Sequence, residues 1–242
     1  MHPFVTAALA ANRAIAHRLA DGITPQHRLR YSVGAGGDIS SGIDLEAEAI
    51  FVEHLQPFGR IESEESGVMG SGNRRIVLDP IDGSSNMLSG FPYYGTSAAL
   101  IDATGEVVAA CIGNLAAGAF IFWEQGSSAQ YGHLHHDTWQ ALRPIPDAEI
   151  GIFERAYAHP DVVRSLGDLG WKFRVPGAVA LSLVYAVRAR FFLYVGRYRA
   201  YDFAAGLAIL GGMEVEAKED YVIVTHDKET LEILRDRIRN RG

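Results

Sequence analysis

The chain has 242 residues, of which 48% are hydrophobic and 21% charged, and its formal net charge is -7. This length and apolar content suffice for one large domain or two closely joined lobes with a full core, and they exclude a largely disordered chain. The negative charge argues against a general nucleic-acid binder, because phosphate backbones attract basic surfaces. A small phosphorylated substrate stays possible, since bound metal ions reverse the local sign of the charge.

The single cysteine, Cys111, excludes an intrachain disulfide. It lies in an apolar run, which predicts a buried structural thiol rather than a nucleophile. The first residues lack the basic-then-apolar pattern of a signal peptide, and no run approaches the ~20 apolar residues of a membrane span. We therefore expect a soluble, cytoplasmic protein that makes no membrane contact.

The front of the chain is predicted to hold two helices with a glycine-rich segment between them. An Ala-rich stretch over residues 3–20 predicts the first helix, and the second begins near residue 43. Asp44 lies in the first turn of the second helix, where a carboxylate suits the helix dipole, so Asp44 could simply be a helix cap. Residues 33–38 lack the Lys-Ser/Thr ending of a nucleotide-binding loop and are interpreted as a flexible lid or turn.

The central motif is Asp-Pro-Ile-Asp-Gly-Ser-Ser-Asn at residues 79–86. Asp79 and Asp82 follow an apolar run that predicts a buried strand, and helix-start residues follow them. A strand end that meets a helix start can hold a phosphate by backbone N–H groups, and two carboxylates there can hold a hard divalent cation. Glu64 follows an earlier short strand. If both strands end at one sheet edge, Glu64 lies beside Asp79 and Asp82, although acidic pairs such as Glu64-Glu65 are often only solvated.

The rest of the chain predicts an antiparallel strand meander followed by alternating strands and helices. His133, His135 and His136 lie in loop-like sequence without a zinc-binding pattern, so we expect an exposed histidine turn. Asp202 is predicted to be the N-cap of an apolar helix. The predicted elements are meander strands at 96–101, 107–112 and 119–123, a less regular stretch at 126–149, strands at 150–153, 171–175, 191–195, 213–217 and 221–224, and helices at 161–168, 177–190 and 230–240.

Four separated segments resemble those of the inositol monophosphatase and fructose-1,6-bisphosphatase superfamily. They occur in the family's order over nearly the whole chain, at residues 64–66, 79–86, 176–182 and 201–206. The resemblance implies the family's α+β fold, a layered α-β-α-β-α sandwich. It predicts a single domain over residues 1–242, with a metal-binding lobe at about 1–125 and a second α/β lobe at about 126–242.

The resemblance also implies roles for individual residues. Four carboxylates and one backbone carbonyl match the family's metal ligands: Glu64, Asp79, Asp82, Asp202 and the carbonyl of Ile81. Asp44, Ser84 and Glu64 match catalytic positions, where Asp44 orients a Ser84 hydroxyl that contacts metal and the nucleophilic water. Asp82 is also expected to contact the substrate. The N–H groups that match phosphate donors are those of Gly83, Ser84 and Ser85.

The function implied by the resemblance is a phosphomonoesterase that hydrolyses inositol monophosphate or a related small sugar phosphate by metal-activated water. Two or three Mg²⁺ ions can supply the charge neutralisation and the nucleophile for this reaction. A set of oxygen ligands favours Mg²⁺ or Mn²⁺ over zinc. Inhibition by Li⁺ and a homodimer are further implications of the resemblance.

Departures from the family pattern leave the substrate open. No lysine precedes Asp38, and Val195 lies near the position of an inositol-contacting glutamate. Arg197 and Arg199 are either surface charges or substrate-binding residues that clamp a second phosphate. Fructose-1,6-bisphosphatase is therefore an alternative, whereas Asn86 fits a 3′-phosphoadenosine-type nucleotide phosphatase less well. A non-catalytic regulator that binds metal and sugar phosphate is an alternative of another class, although its expected mark, a lost ligand, is absent.

Overall fold

A computed structural model of the chain describes residues 1–145 and 147–239. The helices among these residues are α1 (Pro3–Leu19), α2 (Gly42–Leu55), α3 (Ser84–Ser89), α4 (Pro160–Asp168), α5 (Val179–Tyr185), α6 (Ala200–Ile209) and α7 (Lys228–Arg239). The strands are β1 (Arg30–Val33), β2 (Ile39–Ser41), β3 (Arg60–Ser63), β4 (Gly67–Met69), β5 (Arg75–Asp82), β6 (Gly95–Ile101), β7 (Val107–Asn114), β8 (Ala119–Glu124), β9 (Gln130–His133), β10 (Trp139–Ala141), β11 (Ile150–Glu154), β12 (Lys172–Arg174), β13 (Phe191–Val195), β14 (Glu214–Lys218) and β15 (Tyr221–Thr225). Asn240, the predicted end of the last helix, lies outside the described residues.

The larger sheet has eight strands in the order β10-β9-β8-β7-β6-β5-β3-β4. Its central strands are buried on both faces because helices cover both: α1 and α2 pack on one side and α5 and α6 on the other. Strands covered on both faces are apolar along their whole length instead of alternating, as the run from Ile76 to Leu78 shows. The predicted antiparallel meander is confirmed in β6, β7 and β8.

The smaller sheet has five strands in the order β12-β11-β13-β15-β14. Along β13 the side chains alternate between two cores: Phe192 packs with α5 and α6, whereas Leu193 packs with α4 and α7. This is the two-residue period of a strand between two apolar layers. The layers are therefore α1/α2, eight-stranded sheet, α5/α6, five-stranded sheet and α4/α7, which confirms the predicted α-β-α-β-α sandwich.

One parallel strand pair determines where the acidic motifs meet. Strand β3 runs parallel to β5, and Ser63 lies opposite Leu78 in their register. Glu64 directly follows β3, and its N–H donates to the Leu78 carbonyl at 3.0 Å. Glu64 therefore lies at the same sheet edge as Asp79, as the sequence predicted.

Two local predictions were wrong. The helix predicted over 177–190 begins only at Val179, because Gly177 has a left-handed φ of 84° and Ala178 is extended. Asp202 is not an N-cap: α6 begins at Ala200 and Arg199 occupies the N-cap position, so Asp202 lies in the first turn. The stretch 126–149, expected to be less regular, contains β9 and β10.

Two simpler predictions, for Cys111 and for the histidines, agree with the structure. The Cys111 thiol is buried in β7. His133, His135 and His136 are exposed, and they do not form a metal-ligand group in the described residues. Among the helices of residues 1–145 and 147–239, none combines the length and apolar content that crossing a membrane requires.

Candidate metal centre

Three buried carboxylates from three different elements meet at one point. Glu64 comes from the end of β3, Asp79 from β5 and Asp202 from the first turn of α6. Each offers an oxygen, and these oxygens all lie within 4.8 Å of one another. Their residues retain 8%, 2% and 3% of their exposure, so little water is available to solvate the charges. The structure thus brings together three of the four carboxylates predicted as metal ligands.

The three carboxylates are poorly solvated and repel one another, so a bound cation would stabilise their charged forms. Burial, followed by the charge of Asp202, raises the pKa of Glu64 to about 8. Burial, followed by the charge of Glu64, also raises the pKa of Asp79 well above its ordinary value. The Asp79 Oδ1 atom is buried and has no hydrogen-bond partner among the described residues. Burying a carboxylate oxygen without a partner costs free energy. Such oxygens are the ligands that hard divalent cations prefer.

Asp82, the fourth predicted carboxylate, is not one of the three residues of this group. Its Oδ2 accepts a hydrogen bond from the N–H of Leu181 in α5 at 2.8 Å. Burial and then the charge of Asp202 raise the pKa of Asp82. One Asp82 oxygen is therefore held by the protein, while the residue still adds negative charge to the centre.

The turn after β5 departs from regular strand geometry. The register with β6 shifts between Asp79 and Asp82, the stretch that contains Ile81. Pro80 lacks an N–H group and cannot complete the ladder there. Gly83 then adopts a left-handed φ of 82°, and α3 begins at Ser84. Ser84 is half-buried and Ser85 is exposed, so the start of this short helix is accessible to solvent.

Asp44 lies at the start of α2 in a capping box. Its Oδ2 accepts hydrogen bonds from the N–H and the Oγ of Ser41, both at 2.7 Å. Its Oδ1 is buried and has no partner among the described residues, and burial raises its pKa. No hydrogen bond joins Asp44 to Ser84 within residues 1–145 and 147–239. The cap interpretation therefore accounts for one oxygen of Asp44 and leaves the other unexplained.

The two arginines predicted as substrate-binding residues have different surroundings. Arg197 is exposed. Arg199 instead points into the acidic group and forms salt bridges with Glu64 and Asp202. Its guanidinium faces carboxylates, which is a different role from the phosphate clamp expected from sequence.

A second arginine pair, not singled out from the sequence, lies beside the start of α3. Arg28 and Arg30 line a cavity of about 280 Å³ together with Ser85, Leu88 and Ser89. Neither arginine has an ion-pair partner in the part of the chain that the structure describes; Arg28 donates to the Leu88 carbonyl at 2.6 Å. Because Ser85 lies far away along the chain, the only clue in the sequence was that the segment around Arg28 and Arg30 is polar and basic.

Glu154 is a buried acidic residue that the sequence analysis did not single out. It is 1% exposed, accepts hydrogen bonds from the Gly177 N–H at 3.1 Å, and accepts one from the Ser182 hydroxyl at 2.5 Å. The clue in the sequence was a single acidic residue at the end of the apolar stretch that forms β11. Asn86, the last residue of the central motif, donates to the carbonyls of Tyr93 and Pro176 at 2.8 and 2.7 Å.

Comparison with known proteins gives consistent matches. A sequence model of the Inositol monophosphatase family matches residues 1–214. Nus factor SuhB from Vibrio cholerae is 25% identical over 241 residues, which cover 93% of this chain and 85% of the relative. Inositol-1-monophosphatase from Rhizobium meliloti is 29% identical over 78% of this chain and 76% of its own. Fructose-1,6-bisphosphatase/inositol-1-monophosphatase from Thermotoga maritima is 29% identical over 73% of this chain and 70% of its own.

Solved structures share the fold. The extragenic suppressor protein suhB from Bartonella henselae superposes with a TM-score of 0.81 at 23% identity, covering 100% of this chain and 99% of the other. An IMPase from Thermotoga maritima superposes with a TM-score of 0.77 at 23% identity, covering 97% and 98%. The family match over residues 1–214 and this shared fold confirm the resemblance drawn from four short segments: the chain belongs to the inositol monophosphatase family.

Proposed function

We propose that this chain is a metal-dependent phosphatase that hydrolyses inositol monophosphate or a related small sugar phosphate. The observation that carries the proposal is the group of buried oxygens from Glu64, Asp79 and Asp202, all within 4.8 Å of one another. The residues fit a hard cation because every donor is oxygen and because Asp79 Oδ1 lacks a partner among the described residues. This donor set favours Mg²⁺ or Mn²⁺, and two or three ions are expected.

The chain's own residues are suited to the remaining tasks of the reaction. Divalent ions held here would neutralise phosphate charge and lower the pKa of a bound water. The first N–H groups of α3 lack intrahelical acceptors and are suited to phosphate oxygens, as expected of Gly83, Ser84 and Ser85. Asp44 is fixed by Ser41 through one oxygen, and its free Oδ1 is suited to orienting a hydroxyl or water.

Fructose-1,6-bisphosphatase activity is the second candidate, favoured by a specific feature of the structure. The cavity beside Ser85 contains Arg28 and Arg30, whose guanidinium groups can bind a second phosphate. The relative from Thermotoga maritima bears both activities in its name. The name Nus factor, borne by other relatives, would suit a non-catalytic role. All four predicted carboxylates are present in the sequence, however, and three of them meet in one group, which favours catalysis. A homodimer, Li⁺ inhibition and a cytoplasmic location stay predictions.

The test is phosphate release from a panel of inositol, fructose, glycerol and nucleotide phosphates, with Mg²⁺ or with EDTA. Asp79→Asn should lower kcat/KM by about a thousandfold, because a metal supplies several kcal/mol of charge stabilisation in such reactions. Asp220→Asn, an exposed residue at the β14–β15 turn, is the control and should match the wild type. Full activity in EDTA or in Asp79→Asn would overturn the proposal.

A further inference from the structure

Arg199 places a permanent positive charge on the oxygens of the candidate metal centre. Its Nη1 lies 2.8 Å from Glu64 Oε1, and its Nε lies 3.1 Å from Asp202 Oδ2. Both carboxylates belong to the group proposed to hold the metal. Guanidinium stays charged at every pH at which proteins are folded, so protonation does not remove this contact.

The same guanidinium also contacts the glycine-rich turn between β1 and β2. Its Nη1 donates to the Gly36 carbonyl at 3.1 Å and to Asp38 Oδ2 at 2.8 Å. The turn lies directly on the centre, since the Gly36 N–H donates to the Glu64 carbonyl at 2.7 Å. A Cβ on Gly36 would lie 2.4 Å from the Glu64 Cγ, so only glycine permits this approach.

The exposure of the partners shows which of them can move. The Arg199 side chain is 36% exposed and Asp38 is 80% exposed, whereas Glu64 and Asp202 are 11% and 4% exposed. The carboxylates are fixed in the interior, but the guanidinium can withdraw towards solvent and Asp38. Mg²⁺ binds carboxylate oxygen at about 2.0–2.1 Å, and a second cation 2.8 Å from the same oxygen repels it.

We propose that Arg199 is a built-in competitor for the metal centre, whose guanidinium must leave Glu64 and Asp202 before divalent ions bind there. The inference rests on the proposed function for the identity of the metal carboxylates. Arg199 thereby sets the metal affinity of the free protein and keeps the acidic centre neutralised between metal-binding events. Metal binding must break the contacts of Arg199 with the two carboxylates. The free energy of those contacts therefore reduces the free energy gained when the metal binds.

The experiment measures Mg²⁺ binding by isothermal titration calorimetry, without substrate, to the wild type, Arg199→Ala and Arg199→Lys. Arg199→Ala should bind Mg²⁺ about tenfold more tightly, within the usual range of coupling between two sites. Arg199→Lys keeps the charge but loses the planar fork, so its affinity should be intermediate. Arg174→Ala removes an exposed charge on β12, a strand that supplies none of the three carboxylates, and should bind like the wild type.

Thermal unfolding provides a second readout that also shows whether the variants fold. In EDTA, Arg199→Ala should melt below the wild type because its buried carboxylates lose their cation, and saturating Mg²⁺ should close that gap. Equal or weaker Mg²⁺ binding by Arg199→Ala would overturn the inference. If the wild type binds Mg²⁺ and Asp79→Asn does not, the metal centre of the proposed function stands whatever Arg199 does. Absence of Mg²⁺ binding in every variant would overturn both.

Discussion

Among single residues, Gly83 determines the geometry that joins the end of β5, with Asp79 and Asp82, to α3. Its φ of 82° is left-handed, and a Cβ there would lie 2.9 Å from the Ala178 Cβ and 3.1 Å from the Tyr93 carbonyl. Both the backbone conformation and the surrounding space therefore require glycine. The resemblance placed Gly83 among phosphate-binding residues; the structure adds that it also permits contact with the α5 layer.

Gly83→Ala should destabilise the fold by more than the cost of its left-handed backbone conformation alone. A non-glycine residue in a left-handed conformation costs about 1–3 kcal/mol, and the contact with Ala178 adds to that. Gly90→Ala is the matched control, because Gly90 has a φ of 75° but a Cβ there would meet nothing within 4 Å. Urea unfolding should show a larger loss for Gly83→Ala than for Gly90→Ala. Equal losses would mean that the close contacts contribute nothing.

Sequence reasoning at the residue scale succeeded where a contact follows from the motif itself. The placement of Glu64 beside Asp79 needed only two parallel strands that end at one edge. The Arg199–Glu64 pair could not be predicted, because it joins residues far apart in the chain through the packing of α6 against the larger sheet. The free Oδ1 of Asp44 likewise depends on burial, which its position in the first helical turn does not reveal.

Among the elements, the segment that leads into β1 supplies positive charge beside the start of α3. Arg28 ends a short 3₁₀ helix (Gln26–Arg28), and Arg30 begins β1. Both are exposed and line the cavity next to Ser85. The sequence identifies this segment only as polar and basic, because nothing local indicates that it lies against α3.

Replacing both arginines, in Arg28→Ala/Arg30→Ala, should shift substrate preference. Charged hydrogen bonds contribute about 1.5–3 kcal/mol, so the ratio of kcat/KM for fructose 1,6-bisphosphate to that for fructose 1-phosphate should fall at least about tenfold. Arg174→Ala, which removes an exposed arginine that does not line the cavity, should leave the ratio at the wild-type value. An unchanged ratio in the double variant would exclude this cavity as a second-phosphate site.

Element boundaries were less predictable than element order. The predicted helix over 177–190 was too long because its apolar sequence continues past Tyr185, where the chain tightens into a 3₁₀ turn (Ala186–Arg188). At its start, the positive φ of Gly177 cannot be inferred from glycine alone, since glycine also occurs within helices. The strand order of the smaller sheet could not be predicted either, because a two-residue period identifies a strand without identifying its neighbours.

At the scale of the whole molecule, a series of hydrogen bonds connects α5 with the smaller sheet on one side and the larger sheet on the other. The Ser182 hydroxyl of α5 donates to Glu154 of the smaller sheet and lies 3.1 Å from the Tyr93 hydroxyl, which precedes β6 of the larger sheet. The Gly177 N–H also donates to Glu154. Apolar patterning predicts which faces pack together, but it cannot predict a polar contact at the junction of two sheets. This junction is therefore knowable only from the assembled fold.

The junction makes stability depend on pH through Glu154. Burial raises its pKa above 4.5, against the hydrogen bonds from Ser182 and Gly177. The folded state then holds the proton more tightly, so stability falls as pH rises from the unfolded pKa through the folded one. Glu154→Gln cannot ionise, so it lacks this loss of stability. In urea unfolding with EDTA at pH 5, 6.5 and 8, the free energy of unfolding of Glu154→Gln should increase relative to that of the wild type as pH rises. Glu219→Gln, which is exposed, should follow the wild type at every pH. Parallel pH profiles for Glu154→Gln and the wild type would show that Glu154 ionises alike in both states.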